Sequence, residues 1–381
     1  MAEAKKLSGA GLRGQSAGET ALCTVGKTGA GLTYRGYDMA ELAEKAQFEE
    51  VAYLLVNGTL PNAAQLKAYI AKLKSLRELP AALKTVLENI PKDTHPMDVM
   101  RTGCSMLGNL EPELGFADQT DHIERMLAVF PSIICYWYRY SHDGVRIDTK
   151  AVDIDSIGGH FLALLHDKAP SALHEQVMNA SLILYAEHEF NASTFTARVC
   201  ASTLSDIHSC VTAAIGSLRG PLHGGANEAA MALIESMTDP DQAEEHIMGM
   251  LARKDKIMGF GHAIYSTSDP RNAIIKKCSK VLAEDLARQN IDNKSLYEIS
   301  ERVEAVMWRE KKLFCNADFF HASAYHFMDI PTKLFTPIFV CSRVSGWTAH
   351  VMEQRANNRI IRPSADYTGP ESAQWVALED R

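Results

Sequence analysis

A histidine framed by glycine and proline is the first feature of this sequence that could do chemistry. In RGPLHGGANE, residues 219–228, His223 stands between a Gly-Pro pair and a Gly-Gly pair. Glycine lets a ligand approach the backbone closely and proline stiffens a turn, so the pattern can hold an imidazole in a fixed, exposed pose. Taken alone, the pattern indicates more simply a loop histidine near the start of a helix.

A second glycine-framed histidine follows in KIMGFGHAIYSTSDPR. Gly259 and Gly261 precede His262, and Arg271 follows nine residues later in an Asp-Pro-Arg turn. Two such loops in one chain favour a shared function over chance. His188 stands in LILYAEHEFNASTF, which we interpret as an apolar helical stretch, where a polar group costs stability unless it is paired. It is either a satisfied core histidine or part of the wall of an anion pocket.

One aspartate and several arginines in apolar surroundings complete the candidates. Asp318 lies in FCNADFF, Arg343 in VCSRVSGW and Arg362 in NRIIRPS. Because the planar guanidinium binds carboxylates through paired hydrogen bonds, Arg271, Arg343 and Arg362 together suggest a substrate with at least two carboxylates. For each arginine by itself, a structural ion pair is the alternative.

Other motifs lack the context that their chemistry needs. GQSAG, residues 14–18, matches a nucleophile elbow, but only a polar tail precedes Ser16 where a core strand is required. VGKTGAG, residues 25–31, lacks the first glycine of a phosphate loop, so we interpret its glycines as those of a hairpin turn. Histidines at 160/166 and 321/326 do not fit the i, i+4 spacing of a helical zinc pair, and we expect no metal site.

Composition limits the class of protein. The chain has 381 residues, of which 46% are hydrophobic, and this length favours two domains. Its net charge of -8 argues against a general role on nucleic acid or on a membrane surface. Eight scattered cysteines without a CxxC pair fit a reducing compartment, and the uncharged apolar run from Met126 to Tyr138 is too short to span a bilayer. We therefore expect a cytoplasmic protein.

Helical spacing dominates the elements that must position these residues. Asn62 is a plausible cap for a helix that ends before Pro80, and a second helix is predicted between Pro80 and Pro91. HPMDVMRTG opens another helix with proline in its first turn, and residues 239–256 read as a solvated helix. Only ALCTVGKTGAGLTYRGYD alternates enough for a short hairpin. The predicted fold class is all-α.

Taken together, these motifs resemble the citrate synthase family. The similarity covers nearly the whole chain, through ALCTVGKTGAGLTYRGYD, HPMDVMRTG, YAEHEFNASTFTAR, GPLHGGANE, GFGHAIY with the following DPR, and IIRPSADYTGP. Within the family, the chain is most similar to members that condense propionyl-CoA with oxaloacetate to give 2-methylcitrate. Members that use acetyl-CoA are the nearest alternative, and a non-catalytic helical scaffold or regulator is an alternative of another class.

The resemblance also implies an architecture and a site. A smaller domain, residues 225–329, would be inserted into a large domain of residues 1–224 and 330–381, and two copies would form a homodimer. The expected catalytic residues are His223, His262 and Asp318, and the expected oxaloacetate ligands are His188, Arg271 and Arg343, with Arg362 from the partner subunit. The coenzyme A thioester would be a substrate rather than a tightly bound cofactor, along a loop formed by Ile257, Met258, Gly259, Phe260 and Gly261.

Two positions depart from the family pattern. Many relatives carry a basic residue where this chain has Ser266, and Cys315 stands where the family usually has the proline before the Asn-x-Asp segment. The coenzyme phosphates would then be held by some of a nearby basic cluster, namely Arg253, Lys254, Lys256, Lys276 and Lys277.

The condensation that the resemblance implies needs one base and hydrogen-bond donors. The α-carbon of an acyl-CoA is a very weak acid and a carboxylate such as Asp318 is a modest base, so proton removal needs a hydrogen-bond donor at the thioester oxygen. His223 is expected to be this donor as a neutral imidazole, and His262 is expected to polarise the ketone of oxaloacetate.

Overall fold

The chain is almost entirely helical between residues 39 and 356. In the computed structural model, the described residues are 12, 15–25, 31–262, 264–291 and 294–381. Sixteen α-helices and one small sheet form this part of the chain. The prediction of an all-α fold is therefore confirmed.

The small sheet lies before the first helix. Its antiparallel strands are β1 (Cys23–Val25), β2 (Leu32–Tyr34) and β3 (Tyr37–Asp38), in the order β1-β2-β3. The strands confirm the predicted hairpin, whereas its turn, residues 26–30, lies outside the described residues, as do residues 1–11.

Eleven helices surround the main core. They are α1 (Met39–Lys45), α2 (Phe48–Asn57), α3 (Ala63–Ser75), α4 (Ala81–Glu88), α5 (Pro96–Leu110), α6 (Gln119–Tyr138), α7 (Ile157–His166), α8 (Ala172–Tyr185), α9 (Ala192–Ser202), α10 (Ile207–Leu218) and α16 (Phe335–Ala356). Helix α16 packs against α2, α5, α6, α8, α9 and α10, and its Trp347 is fully buried. This helix is the centre of the core, so side chains along it can support several parts of a site.

Five helices between α10 and α16 pack mainly on one another. They are α11 (Ala226–Glu235), α12 (Pro240–Ala252), α13 (Pro270–Arg288), α14 (Lys294–Lys311) and α15 (Ala317–Phe327). Helix α12 buries only Ala243 and Ile247, as expected of a solvated helix. Helices α11 and α13 also contact the main core through α16 and α8. The division of the chain at residues 225 and 329 stays a prediction.

Two helices begin at the capping residue or the proline from which the sequence predicts their start. Asn62 accepts the N–H of Gln65 at 2.9 Å, and the Gln65 side chain accepts the N–H of Asn62 at 2.9 Å. This reciprocal capping satisfies two of the N–H groups that have no partner inside a helix. Pro96 begins α5, where its missing N–H costs nothing, and Nδ1 of His95 accepts the N–H of Met97 at 3.2 Å.

The lengths and composition of the helices also bear on membrane insertion. No helix in the described part of the chain combines the length and the apolar character that a bilayer crossing requires.

Candidate active site

Six of the seven predicted catalytic and substrate-binding residues lie at one place, where several helices end. His188 follows α8, His223 follows α10 and His262 follows α12, while Asp318 lies in the first turn of α15. The rings of His188 and His262 are 5.1 Å apart between centroids. Arg271 at the start of α13 and Arg343 in α16 supply positive charge to this place.

His223 is held by the first turn of α9. Its Nε2 lies 3.3 Å from the backbone N–H of Ser193 and 2.9 Å from Oγ of the same residue. A backbone N–H can only donate, so Nε2 accepts and the proton of the neutral ring is on Nδ1. Burial, followed by the charge of Arg343, lowers the pKa of His223 to about 4. A Cβ at Gly224 would collide with the carbonyl of Leu218, so the next position in this turn requires glycine.

His262 is held by its own loop. Gly259 and Gly261 have φ of 88° and 72°, a backbone region that favours glycine. The N–H groups of Ile264 and Tyr265 donate to Nδ1 of His262 at 3.1 and 3.4 Å, so the proton of its neutral ring is on Nε2. Burial, followed by the charge of Arg271, lowers the pKa of His262 to about 4. Both histidines are therefore neutral donors at pH 7.

The placement of His188 corrects the sequence interpretation, which put it inside a helix. Helix α8 ends at Tyr185, and His188 lies in the connection to α9. The buried carboxylate of Glu187 accepts the N–H of His188 at 2.8 Å, which fixes this non-helical backbone. The Nε2 of His188 lies 3.1 Å from the hydroxyl of Tyr265, and burial lowers the pKa of the histidine well below its usual range. A tertiary contact ends the helix, although the local sequence pattern would continue it.

Asp318 has the environment of a base. Asn316 caps α15 and accepts the N–H of Asp318 at 3.1 Å, while the hydroxyl of Tyr185 donates to Oδ1 of Asp318 at 2.7 Å. Burial raises the pKa of Asp318, against the lowering effects of the Tyr185 hydrogen bond and of Arg271. A carboxylate with a raised pKa is a stronger base than an exposed one.

The two buried arginines of the site, Arg271 and Arg343, differ in their hydrogen-bond partners. Arg271 donates to both carboxylate oxygens of Asp269, from Nε at 3.0 Å and from Nη2 at 2.8 Å. It therefore forms a structural ion pair, the alternative to ligand binding that the sequence leaves open for each arginine. Arg343 donates from Nε to the carbonyl of Tyr185 at 2.6 Å, but its buried Nη1 has no partner among the described residues. A buried guanidinium nitrogen without a hydrogen-bond partner is costly, so Nη1 is available to a ligand carboxylate.

Arg362 lies apart from this cluster. It is exposed in the non-helical segment that follows α16, and it has no hydrogen bond or ion pair to another described residue. The structure of the single chain therefore does not bring Arg362 to the predicted site.

The predicted coenzyme loop, residues 257–261, is tied to the start of α15. Phe260 and Cys315 form an isolated β-bridge, the N–H of Gly261 donates to Phe314 at 2.8 Å and the N–H of Asn316 donates to Gly259 at 3.0 Å. Within the predicted phosphate-binding cluster, two cations are already engaged: Lys276 pairs with Glu301 and Glu304, and Arg253 pairs with Asp255. The other three cations of this cluster, Lys254, Lys256 and Lys277, form no ion pair with a described residue.

Helix α16 supports three parts of the site at once. It carries Arg343, and its Trp347 donates to Oγ of Ser193 at 3.1 Å, beside His223. One turn later along α16, Nε2 of the buried His350 lies 2.9 Å from Oε1 of the buried Glu187 carboxylate. Arg198 donates to Nδ1 of His350 at 3.0 Å, so Nε2 is the donor toward Glu187. The backbone that carries His188 is thereby fixed to α16.

Sequence reasoning missed several residues of this site. They are Tyr185, Ser193, Asp269 and Trp347, none of which stands in a catalytic motif by itself. The available signal is weak: Asp269 belongs to the Asp-Pro-Arg turn, and Tyr185 and Ser193 flank His188 in the segment YAEHEFNAS. Their partners lie far away in the sequence, so only the fold reveals the contacts.

Comparison with known proteins identifies the family of this chain. The family described as "Citrate synthase, C-terminal domain" matches residues 11–364. The chain is 71% identical over 381 residues, 100% of both chains, to a 2-methylcitrate synthase of Shewanella oneidensis, and 42% identical to citrate synthase 2 of Bacillus subtilis, over 92% of this chain and 93% of that one. The ternary complex of the Thermoplasma acidophilum citrate synthase with carboxymethyl coenzyme A and oxaloacetate superposes with a TM-score of 0.89 at 30% identity, covering 97% of this chain and 98% of that one. This chain belongs to the citrate synthase family.

Proposed function

We propose that this chain is a 2-methylcitrate synthase, which condenses propionyl-CoA with oxaloacetate and water to give 2-methylcitrate and coenzyme A. The observation that carries the proposal is one site that combines two neutral histidines, a half-buried carboxylate and an arginine nitrogen without a partner. The 71% identical relative bears the name of this activity.

In the first step, Asp318 takes a proton from the α-carbon of the propionyl group. The electrons of the broken C–H bond move into a C=C bond, and negative charge develops on the thioester oxygen. The Nδ1–H of His223 donates to this oxygen, and because the ring is neutral, its hydrogen bond strengthens as the charge grows.

In the second step, the α-carbon attacks the ketone carbon of oxaloacetate. The Nε2–H of His262 donates a hydrogen bond to the ketone oxygen. This oxygen takes up one proton, which balances the one removed from the α-carbon, and becomes the hydroxyl of the product. Water then cleaves the C–S bond of the thioester and releases coenzyme A, which makes the reaction irreversible in practice. Closure of the two proposed domains around the substrates would exclude water until the new C–C bond has formed.

Oxaloacetate supplies two carboxylates to the arginines. The Nη1 of Arg343 has no partner in the described residues and would bind one of them, and Arg271, held by Asp269, would orient the ketoacid with His188. Arg362 is exposed and lies beyond the core helices, which supports a role in the site of a second subunit of a homodimer.

Residues 257–261 would contact the coenzyme. Its phosphates would be bound by Lys254, Lys256 and Lys277. All eight cysteines are free thiols, in keeping with a reducing cytoplasm.

A citrate synthase that uses acetyl-CoA is the second candidate, because relatives of that name are also similar to this chain. The deciding experiment measures release of the coenzyme A thiol from propionyl-CoA and from acetyl-CoA, each with and without oxaloacetate. We expect release only with oxaloacetate, with propionyl-CoA preferred by roughly 10- to 200-fold in kcat/KM, since one methylene in an apolar pocket supplies that much selectivity. A higher kcat/KM for acetyl-CoA would replace the proposal with the second candidate, and no release from either would refute both.

A further inference from the structure

The environment of Tyr185 constrains the orientation of its hydroxyl group. Tyr185 is the last residue of α8, and its side chain is fully buried. Its ring is stacked on those of His321 and Phe339, with centroid distances of 4.0 Å to each and interplanar angles of 23° and 26°. The carbonyl of the same residue accepts the Nε–H of Arg343. Stacking and backbone contact together keep the hydroxyl group at Oδ1 of Asp318, 2.7 Å away.

We propose that Tyr185 is a positioning residue for the base: its hydroxyl occupies Oδ1 of Asp318, so that Oδ2 is the oxygen that takes the α-proton. Within the described residues, no hydrogen bond reaches Oδ2, and Asp318 forms no ion pair there. The contact fixes the plane of the carboxylate, so Oδ2 keeps one direction when the acyl group arrives. This inference rests on the proposed function, because it assigns a partner to the proposed base.

The hydrogen bond also changes the acidity of the base in a defined direction. The groups that face Asp318 come from several elements: Tyr185 from α8, Asp269 and Arg271 from the start of α13, Tyr325 from α15 and Arg343 from α16. Only Tyr185 among them donates a hydrogen bond to the carboxylate. This bond favours the charged form and lowers the pKa of Asp318, so its removal raises that pKa.

The test compares Tyr185→Phe with Tyr325→Phe. Tyr325 is an equally buried tyrosine whose hydroxyl meets Oγ of Ser181 at 2.6 Å instead of the base, so its variant also loses one buried hydrogen bond of a tyrosine hydroxyl. The base acts as the carboxylate, so the activity falls as the pH drops through its pKa. In Tyr185→Phe the acidic limb of the kcat/KM profile should move to higher pH by about one unit, and kcat on the plateau should fall about tenfold. Tyr325→Phe should leave the limb in place.

The outcomes separate this inference from the proposed function. If the wild type condenses propionyl-CoA with oxaloacetate and the acidic limb of Tyr185→Phe does not move, the positioning role is refuted while the function stands. If both tyrosine variants move the limb equally, general destabilisation explains the shift and the role is again refuted. Should Tyr185→Phe not fold, 3-fluorotyrosine at position 185 preserves packing and is a stronger donor. The limb should then move to lower pH, and an unmoved limb would refute the proposal.

Discussion

The backbone N–H of Ile264 donates to Nδ1 of His262 at 3.1 Å, and this contact determines which nitrogen of the ring carries the proton. The backbone N–H of Ser193 acts in the same way on His223, but at Nε2. The two histidines therefore offer opposite ring nitrogens, Nε2–H from His262 and Nδ1–H from His223. Two substrates that meet between them can each receive a hydrogen bond from a neutral ring.

The low pKa of His262 makes folding stability depend on pH. The unfolded chain, with an ordinary histidine pKa of about 6.5, binds a proton below that pH, whereas the folded chain binds it only near pH 4. The free energy of unfolding should therefore fall as the pH drops from about 6.5 to about 4. We would measure the free energy of unfolding with urea at several pH values between about 4.5 and about 7. In His262→Gln this free energy should change less steeply with pH, by the equivalent of about one proton near pH 5. The exposed His246→Gln is the control, and an equal slope in both variants would contradict the assignment.

Asp318→Asn should remove the base but keep the fold. The amide oxygen of asparagine still accepts the hydroxyl of Tyr185, and its size is unchanged. We expect kcat for propionyl-CoA to fall about 100-fold or more, with little change in the KM for oxaloacetate. Asp329→Asn, an exposed substitution two residues beyond the end of the same helix, removes the same charge and should keep wild-type turnover. Comparable kcat values for the two variants would exclude Asp318 as the base.

The unpartnered nitrogen of Arg343 predicts a binding defect. Lysine keeps the positive charge of Arg343 but loses the planar set of donors, so Arg343→Lys should raise the KM for oxaloacetate about 10- to 100-fold. Arg77→Lys is a matched control, because Arg77 is equally buried and also has one nitrogen, Nε, without a partner among the described residues. Its guanidinium donates to the carbonyls of Ile154 and Asp155, in the connection before α7. It should lower the melting temperature without raising this KM. Equal KM values in the two lysine variants would remove Arg343 from the ketoacid site.

The proposed role of Arg362 in the partner's site predicts complementation between subunits. If each site borrows Arg362 from its partner, a hybrid of Arg362→Ala and Asp318→Ala subunits contains one complete site, although each parent dimer contains none. Mixed refolding at equal concentrations should restore about a quarter of wild-type activity, since half of the dimers are hybrids and each has one complete site. Inactive mixtures with hybrids demonstrated by mass spectrometry would place Arg362 outside the partner's site.

Local signals allowed much of the fold to be predicted from the sequence. Asn62 and Pro96 mark helix starts through chemistry within a few residues of themselves, so their helices could be predicted without a structure. The end of α8 could not, because the Glu187 carboxylate and α16 decide it from outside the local pattern. A sequence window sees only an apolar run that ends in polar residues.

The same distinction applies to the site. Glycine frames and apolar neighbours identified His223 and His262, because their loops are encoded locally. Tyr185 and Ser193 escaped because a buried polar side chain has meaning only through its partner, here 133 and 30 residues away in the sequence. The pairing of Arg271 with Asp269 follows from the Asp-Pro-Arg sequence only as one of several possible ion pairs, although the two residues lie two positions apart in one turn.

The support that α16 gives to three parts of the site limits which changes of chain length the molecule can accept. Each residue of an α-helix turns the chain by about 100° and advances it by about 1.5 Å. A single insertion between Arg343 and His350 would therefore put at least one of these two residues and Trp347 out of register with the others. No shift of the helix could then restore all three contacts, with Tyr185, Ser193 and Glu187. Insertions and deletions in natural variants should accordingly be confined to segments outside this helix, such as residues 144–156 and the non-helical stretch that follows Ala356.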